Sequence, residues 1–343
     1  MTIIAVICPG PPERTPSTYY RFGQYKDLWR EQGAELIFVP KQELSCQAFC
    51  LLEKADIIVN QKCLLSSKLF RRIQSLGKPL FFDLDDLIWH RAGKDYSCLT
   101  KWKVNRRIAL WAKGVDQVIC ANTYLQNALL RKTGVTPVVV PMSLNLDVWR
   151  PRYDQAEQIE GRSQNGRFDI GAVRVGWTGS PEYHWLLRKL EPALIQAQKH
   201  NQSLKFSIHS GVDPQLDLDY EFLAWQKGNE ADYVKSIDIG LLPMDSESLF
   251  SLGKSPIKGL QYLACGVVPV GNFCGAALDF FNSGNSINVS GNLINWTNAI
   301  MAISQNLQIR TALQAQGVAD VRLFYSHLKT IQALRLHLFA DRR

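Results

Sequence analysis

The sequence predicts an α/β fold made of two similar halves, each built on a parallel sheet. Short, continuously apolar runs, typical of strands covered on both faces, alternate with helical patterns along the chain. The alternation stops at residues 151–171, which are polar and lack apolar periodicity, and it then restarts. We therefore predict a first domain over 1–150, a linker over 151–171, a second domain over 172–320 and a closing helical segment over 321–343.

The first half contains six apolar runs that predict strands. They lie at residues 3–8, 35–39, 57–60, 80–83, 117–120 and 137–140. Apolar residues at helical spacing predict helices between most of these strands, for example over 19–31 and 68–76.

The second half repeats this pattern. Strands are predicted at residues 173–177, 205–209, 239–242 and 267–270, and helices at 185–199, 294–304, 307–316 and 322–339. Ligands of open parallel sheets bind at the carboxyl ends of the strands, so candidate site residues are expected there.

Composition limits the possible environments and partners. The chain has 343 residues, 46% of them hydrophobic and 20% charged, which is typical of a soluble globular protein. No apolar run approaches the roughly 20 residues that span a bilayer, and the start MTIIAVICPG has no basic region before its apolar run. The eight cysteines form no CxxC pair, which favours a reducing compartment and predicts a cytoplasmic protein.

The net charge of +8 predicts an anionic partner, such as phosphates or anionic lipid. No nucleic-acid-binding module is recognisable, so nucleic acid is not expected as a partner.

Two lysines lie near the start of a predicted helix in the second half. Ser255 and Pro256 are typical of a helix start, and Gly266 of its left-handed end. The helix macrodipole disfavours Lys254 and Lys258 at this end unless an anion lies between them. Helix N-termini bind phosphates, so both lysines are candidate diphosphate ligands and catalytic groups. An ordinary solvated helix face is the alternative.

Two loops with small residues follow predicted strands in the same half. The backbone amides of Gly179 and Ser180 precede a helix and could face a diphosphate, while Gly275 and Ala276 would let the backbone approach a ligand. His184, in the helix after the first loop, is a further candidate contact. Ordinary tight turns and a packing histidine are the alternatives.

Three carboxylates end a buried strand of the first half, at Asp83, Asp85 and Asp86. Carboxylates this close repel each other, which should raise at least one pKa. They could orient an acceptor hydroxyl or take its proton, bind Mg²⁺, serve as a structural cap, or form a haloacid-dehalogenase-type phosphatase motif. The Gly-Thr that usually follows the phosphatase motif is absent.

The first loop and one basic helix complete the candidates. Gly10 opens a proline-rich loop, and Arg14 and Arg21 could make bidentate contacts with a phosphate, or be solvated. Residues 101–113 carry five Lys or Arg among tryptophans, a pattern typical of a helix on an anionic membrane surface. A core-packed helix with a basic solvated face is the alternative.

Several segments resemble the GT-B glycosyltransferases, close to the retaining family 4 (group 1) enzymes of polysaccharide and glycolipid synthesis. They are GVDQVICANTYLQNALL, VVVPMSLNLDVWRP, VRVGWTGSPEYHWLL, residues 238–276 and YSHLKTIQALRLHLF. Their order and spacing cover nearly the whole chain. The resemblance implies two Rossmann-like domains facing a central cleft, with the last helix returning to the first domain.

The resemblance also implies a function. A nucleotide-sugar donor would be held mainly by the second half, and a glycan, glycolipid or small-molecule acceptor mainly by the first, at the inner face of the membrane for a lipid-linked acceptor. Transfer would be retaining and metal-independent, with no cofactor, because lysines, arginines and helix dipoles replace the metal ion.

The sequence departs from the broader family at two positions. Gly253 and Gln261 stand where that family carries glutamates, and Gln261 is expected to hydrogen-bond a ribose or sugar hydroxyl. The missing carboxylates keep open an alternative function, a nucleotide-binding or scaffold protein that has lost catalysis.

Overall fold

The computed structural model describes residues 1–91, 96–151 and 172–340, with the side chains of residues 46 and 47 left out. The predicted linker after Pro151 lies outside the described residues. The described chain forms two compact units. Unit 1 comprises Met1–Asn145, Glu247–Ser255 and the chain from His327 onwards, and unit 2 comprises the described parts of Leu146–Ser246 and Pro256–Ser326.

Unit 1 contains a six-stranded sheet of order β2-β1-β3-β4-β5-β6, in which every pairing is parallel. The strands are β1 (Thr2–Cys8), β2 (Ala34–Pro40), β3 (Ile57–Gln61), β4 (Leu80–Leu84), β5 (Gln117–Cys120) and β6 (Val138–Val139). All six predicted strands are confirmed, and each end lies within one residue of the prediction.

The helices of this half lie between the strands. They are α1 (Pro16–Arg21), α2 (Lys26–Glu31), α3 (Cys46–Lys54), α4 (Ser67–Gln74), α5 (Cys98–Gly114) and α6 (Thr123–Thr133). The prediction of one helix over 19–31 is wrong, because a 3₁₀ turn at Gly23–Tyr25 separates α1 from α2. The backbone packs closely there: a Cβ on Gly23 would lie 2.6 Å from Cβ of Pro12.

Unit 2 contains a second parallel six-stranded sheet, of order β12-β11-β10-β7-β8-β9. The strands are β7 (Val173–Thr178), β8 (Leu204–Ser210), β9 (Tyr220–Ala224), β10 (Ile239–Leu242), β11 (Val268–Gly271) and β12 (Ile287–Asn288). The four predicted strands are confirmed. Sequence reasoning missed β9 and β12, which are the edge strands and therefore lack a continuous apolar run.

The remaining helices are distributed over both units. They are α7 (His184–His200), α8 (Glu230–Lys235), α9 (Leu249–Leu252), α10 (Ile257–Ala264), α11 (Leu293–Gln305), α12 (Leu307–Phe324) and α13 (His327–Leu338). The predicted fold class, two parallel-sheet α/β halves, is confirmed. Within the described ranges, no helix combines the length and the apolar character needed to cross a bilayer.

The chain end packs into unit 1. The prediction of one helix over 322–339 is wrong, because α12 ends at Phe324 in unit 2 and α13 starts at His327 in unit 1. Ile331, Leu334 and Leu338 of α13 are buried in the core of unit 1, and each buried side chain contributes about 1.5–3 kcal/mol. Segment 247–255 also belongs to unit 1, although we predicted it within the second domain.

Candidate functional site

Unit 2 brings together two predicted site residues, Gly179 and Lys258. Gly179 follows β7, and Lys258 lies in the first turn of α10. A Cβ on Gly179 would lie 2.7 Å from Nζ of Lys258 and 2.2 Å from the Trp177 ring. Nζ of Lys258 lies 5.3 Å from the ring centroid of Trp177 and 5.6 Å from that of Tyr183. Cation–π attraction therefore holds this ammonium group at the carboxyl end of the sheet.

The loop beside Lys258 is fixed by hydrogen bonds on both sides of Gly179. Its N–H donates to the carbonyl of His209 (3.1 Å), and its carbonyl accepts from Oγ of Ser210 (2.8 Å). Because this amide already has a backbone partner, our prediction that it faces a phosphate is wrong. Ser180 is exposed, and its own amide remains the candidate donor in the loop.

His184 supports this loop through Ser210. Its Nε2 lies 2.9 Å from Oγ of Ser210, and because that hydroxyl donates to Gly179, Nε2 is the donor to it. Burial lowers the pKa of His184, and the nearby charge of Arg188 acts in the same direction. The structure thus places a neutral imidazole where it orients the loop.

Helix α10 starts one residue later than predicted, since Pro256 rather than Ser255 is its N-cap residue. Gly266 has φ +70°, which confirms the predicted left-handed end. Gln261 is buried in this helix, at 6% exposure. A Cβ on Gly259 would lie 2.2 Å from the Phe281 ring, so α10 packs tightly in unit 2.

The second small-residue loop is organised by two asparagines that sequence reasoning missed. Asn272 exchanges hydrogen bonds with the backbone of Met244 (2.7 and 2.9 Å), and Oδ1 of Asn288 accepts from the amide of Phe273 (2.9 Å). Gly275 has φ +57°, a conformation that favours glycine, and Ala276 is buried. Polar residues at the ends of β11 and β12 were the available signal.

Lys254 belongs to unit 1, whereas Lys258 belongs to unit 2. Asn122 holds the segment around Lys254: its Nδ2 lies 3.1 Å from both the Gly253 carbonyl and Oγ of Ser255. Oδ1 of Asn122 also accepts from the amide of Leu125 (2.8 Å) and caps α6. An anion shared by the two lysines stays a prediction.

Gly253 packs against a side chain of the same unit. A Cβ at this position would lie 2.3 Å from Cγ of Leu87. A glutamate at 253, the residue that the resemblance implies at this position, could not be accommodated without displacing Leu87.

Asp83 and Arg21 form a buried ion pair, which corrects two predictions. Nη2 of Arg21 lies 2.6 Å from Oδ1 of Asp83, Nη1 donates to the Val140 carbonyl (2.7 Å), and both side chains have 0% exposure. Buried charges require such pairing. The catalytic role predicted for Asp83 and the phosphate contact predicted for Arg21 are therefore wrong. The phosphatase alternative fails with them, because Asp83 would be its nucleophile.

Asp85 and Asp86 share a lysine that sequence reasoning missed. Nζ of Lys62 lies 2.9 Å from Oδ2 of Asp85 and 2.5 Å from Oδ2 of Asp86. Lys62 follows β3, which neighbours β4, so both strands end at the same edge; that adjacency was the available signal. The ammonium group occupies the position between the carboxylates that a Mg²⁺ ion would need.

Asp85 is the buried member of this cluster. Burial raises its pKa to about 6, although Lys62 acts in the opposite direction. Its Oδ1 is buried without a hydrogen-bond partner in the described part of the chain. Asp86 is more exposed, at 16% of its side chain. Both residues remain candidates for contact with an acceptor.

The first loop shows a structural role for its glycine. A Cβ on Gly10 would lie 2.4 Å from Oγ1 of Thr15, the residue that precedes α1. Arg14 is exposed, and its contact with a phosphate stays a prediction.

Solved structures resemble the chain over its whole length. Sucrose-phosphate synthase from Thermosynechococcus elongatus matches with a TM-score of 0.69 and 14% identity, covering 99% of this chain and 100% of that one. Anabaena HepE in complex with UDP and glucose matches at 0.68 and 14%, with 99% and 100% covered. WaaG, a glycosyltransferase of lipopolysaccharide biosynthesis, matches at 0.66 and 11%, with 98% and 99% covered.

No protein-family model matches the chain, and no curated protein matches it. At these identities the likeness to solved structures shows the fold: the chain has the fold of GT-B glycosyltransferases.

Proposed function

We propose that this protein transfers a sugar from a nucleotide-sugar donor to an acceptor, as its GT-B fold suggests. One observation carries the proposal: the Lys258 ammonium group is held beside Gly179 at the carboxyl end of β7. Ligands of parallel sheets bind at this end. The HepE structure contains UDP and glucose, which supports UDP-sugars as the first donors to test.

The proposed donor chemistry is electrostatic. Negative charge develops on the leaving diphosphate as the sugar departs, and a fixed ammonium group stabilises it more in the transition state than in the ground state. Lys258 and the exposed Ser180 amide would supply this stabilisation, and Lys254 is a second candidate cation. We propose that transfer needs no metal ion and retains the anomeric configuration.

Sugar recognition is assigned to neutral groups. Gln261 would form a hydrogen bond with a hydroxyl of the nucleotide-sugar. Gly275, in its left-handed conformation, and the small Ala276 would let the backbone approach the nucleotide-sugar.

The acceptor is assigned to unit 1, at the carboxyl end of β4. The raised pKa of Asp85, about 6, suits the role of a general base: the carboxyl group is ionised at neutral pH and still basic enough to accept a proton from a hydroxyl. Lys62 would orient Asp85 and Asp86.

We also propose that α5 associates with an anionic membrane surface that carries the acceptor. Its Ile108 and Trp111 are fully buried, while Leu99 and Trp102 are 75% and 59% exposed. The exposed pair lies among basic residues, and the Arg106 guanidinium lies 5.6 Å from the Trp102 ring. An exposed aromatic and basic face is typical of interfacial helices.

The test is a panel of nucleotide-sugars with candidate acceptors, in which nucleoside diphosphate release is measured with and without chelator. Acceptor-dependent release that survives the chelator is the expected result. Nucleotide binding without release with any acceptor would favour the alternative of a nucleotide-binding protein, which the missing carboxylate at Gly253 motivates.

A further inference from the structure

Unit 1 contains a cavity of about 300 Å³ outside the residues assigned above. Its apolar lining comes from Leu87, Trp89, Tyr124, Ala128 and Leu249. Its polar lining comes from His90, Arg131 and Lys132. An apolar pocket with a few convergent polar groups is the usual form of a small-molecule site.

The charged side chains that line this cavity, among the described residues, are both cationic. Arg131 and Lys132 lie in the last turn of α6, and no carboxylate lines the cavity within the described part of the chain. The helix dipole favours cations in a last turn, which accounts for their place along α6. It does not account for the aromatic surface beside them: Nζ of Lys132 lies 5.8 Å from the Trp89 ring.

Partial burial lowers the pKa of Lys132, because the ammonium group loses some of its contact with water. A bound anion would offset this cost by pairing with the cation.

The apolar lining is suited to a ring. Leu87 and Trp89 are nearly fully buried at 2% and 7% exposure, whereas Leu249 is 49% exposed at the rim. The rim is itself fixed, because α9 precedes the Gly253–Ser255 stretch that Asn122 anchors. Aromatic faces of Trp and Tyr pack against flat apolar surfaces such as the faces of sugar rings.

We propose that this pocket binds a sugar that carries one anionic group, a phosphate or a carboxylate, as the acceptor or its terminal unit. The ring would lie against Trp89 and Tyr124, and the anion between Arg131 and Lys132. The acceptor role rests on the proposed function, whereas the binding of a charged sugar does not.

Calorimetry on the full chain tests the pocket with glucose 6-phosphate, glucuronate and glucose at low salt. At least one charged sugar should bind about tenfold more tightly than glucose, the scale of one charge-assisted hydrogen bond. Whichever charged sugar binds identifies the anion as phosphate or carboxylate. Equal affinity for all three, or no binding of either charged sugar at millimolar concentration, would overturn the proposal.

Three variants assign the binding to this pocket. The double substitution Arg131→Gln/Lys132→Gln should remove the preference for a charged sugar. Ala128→Phe, at a partly exposed helix position, should fill the cavity and abolish binding. Lys68→Gln/Arg71→Gln, on exposed positions of α4, makes the same change in net charge and should bind as the wild type does. Unchanged binding in the first two variants would refute the site.

Nucleotide binding is measured on the same samples. A protein that binds a charged sugar but no nucleotide would contradict the proposed function and leave the pocket standing. A protein that binds nucleotide with no preference for charged sugars would contradict the pocket proposal and leave the proposed function standing.

Discussion

Replacing Lys258 with alanine removes a cation that the structure places beside the Gly179 loop in unit 2. The Lys258 ammonium group touches the loop, because a Cβ on Gly179 would come within 2.7 Å of it. Loss of one fixed donor to a developing oxyanion costs about 2.7–4 kcal/mol of transition-state stabilisation. We therefore expect turnover to fall by a factor of about 100 to 1,000.

The same substitution should disturb folding little. The cation–π contacts with Trp177 and Tyr183 are worth about 0.5–1 kcal/mol each at a partly exposed site. The melting temperature therefore separates a loss of chemistry from a loss of structure.

The assay is acceptor-dependent release of nucleoside diphosphate, with kcat and KM measured separately. Lys227→Ala, on an exposed position of unit 2, makes the same charge change away from the loop and is the matched control. If Lys258→Ala turned over at the wild-type rate, the assignment of Lys258 to the leaving diphosphate would be refuted.

Four further perturbations test other parts of the structure. Gly253→Glu should lower the free energy of unfolding by about 1–3 kcal/mol, because a Cβ at this position overlaps Leu87, and it should not improve turnover. Denaturant unfolding of Gly253→Glu and Gly253→Ser, compared side by side, separates the effect of the carboxylate from that of side-chain volume. Asp83→Asn should cost about 3–5 kcal/mol by leaving Arg21 buried without its partner, and an unfolding midpoint equal to the wild type would contradict the buried pair. Activity should fall below about pH 6, because burial raises the pKa of Asp85 and only its ionised carboxylate can accept a proton from the acceptor hydroxyl. The same fall in activity at acid pH in Asp85→Asn would exclude Asp85 as the group that accepts this proton. The double substitution Trp102→Ser/Leu99→Ser should lower the fraction of protein that sediments with anionic vesicles. Equal fractions for the variant and the wild type would show that α5 is not the membrane contact.

The central strands were predictable because their signal is local. A strand covered on both faces must be largely apolar, as β10 is throughout and as β1 and β3 are over Ile3–Cys8 and Ile57–Val59. The edge strands β9 and β12 carry no such requirement, and the break between α12 and α13 depends on where the chain passes from one unit to the other.

The candidate site was predictable in position and only partly in roles. Gly179 and Lys258 come together because both follow strands that end at the same edge of one sheet. Lys62 was missed because its partners are 23 and 24 residues away in the chain. Asp83 was misassigned because its burial depends on pairing with Arg21 from α1, a residue that is distant in the chain.

The sequence by itself determined the two parallel-sheet halves and the strand ends where the candidate site residues lie, because apolar periodicity and glycine positions are local properties. Only the tertiary structure decided which charges remain available. Arg21 and Asp83 neutralise each other in the core, Lys62 pairs with Asp85 and Asp86, and Gly253 has no room for a side chain. These outcomes depend on burial and on partners distant in the chain, which residue type and spacing do not specify.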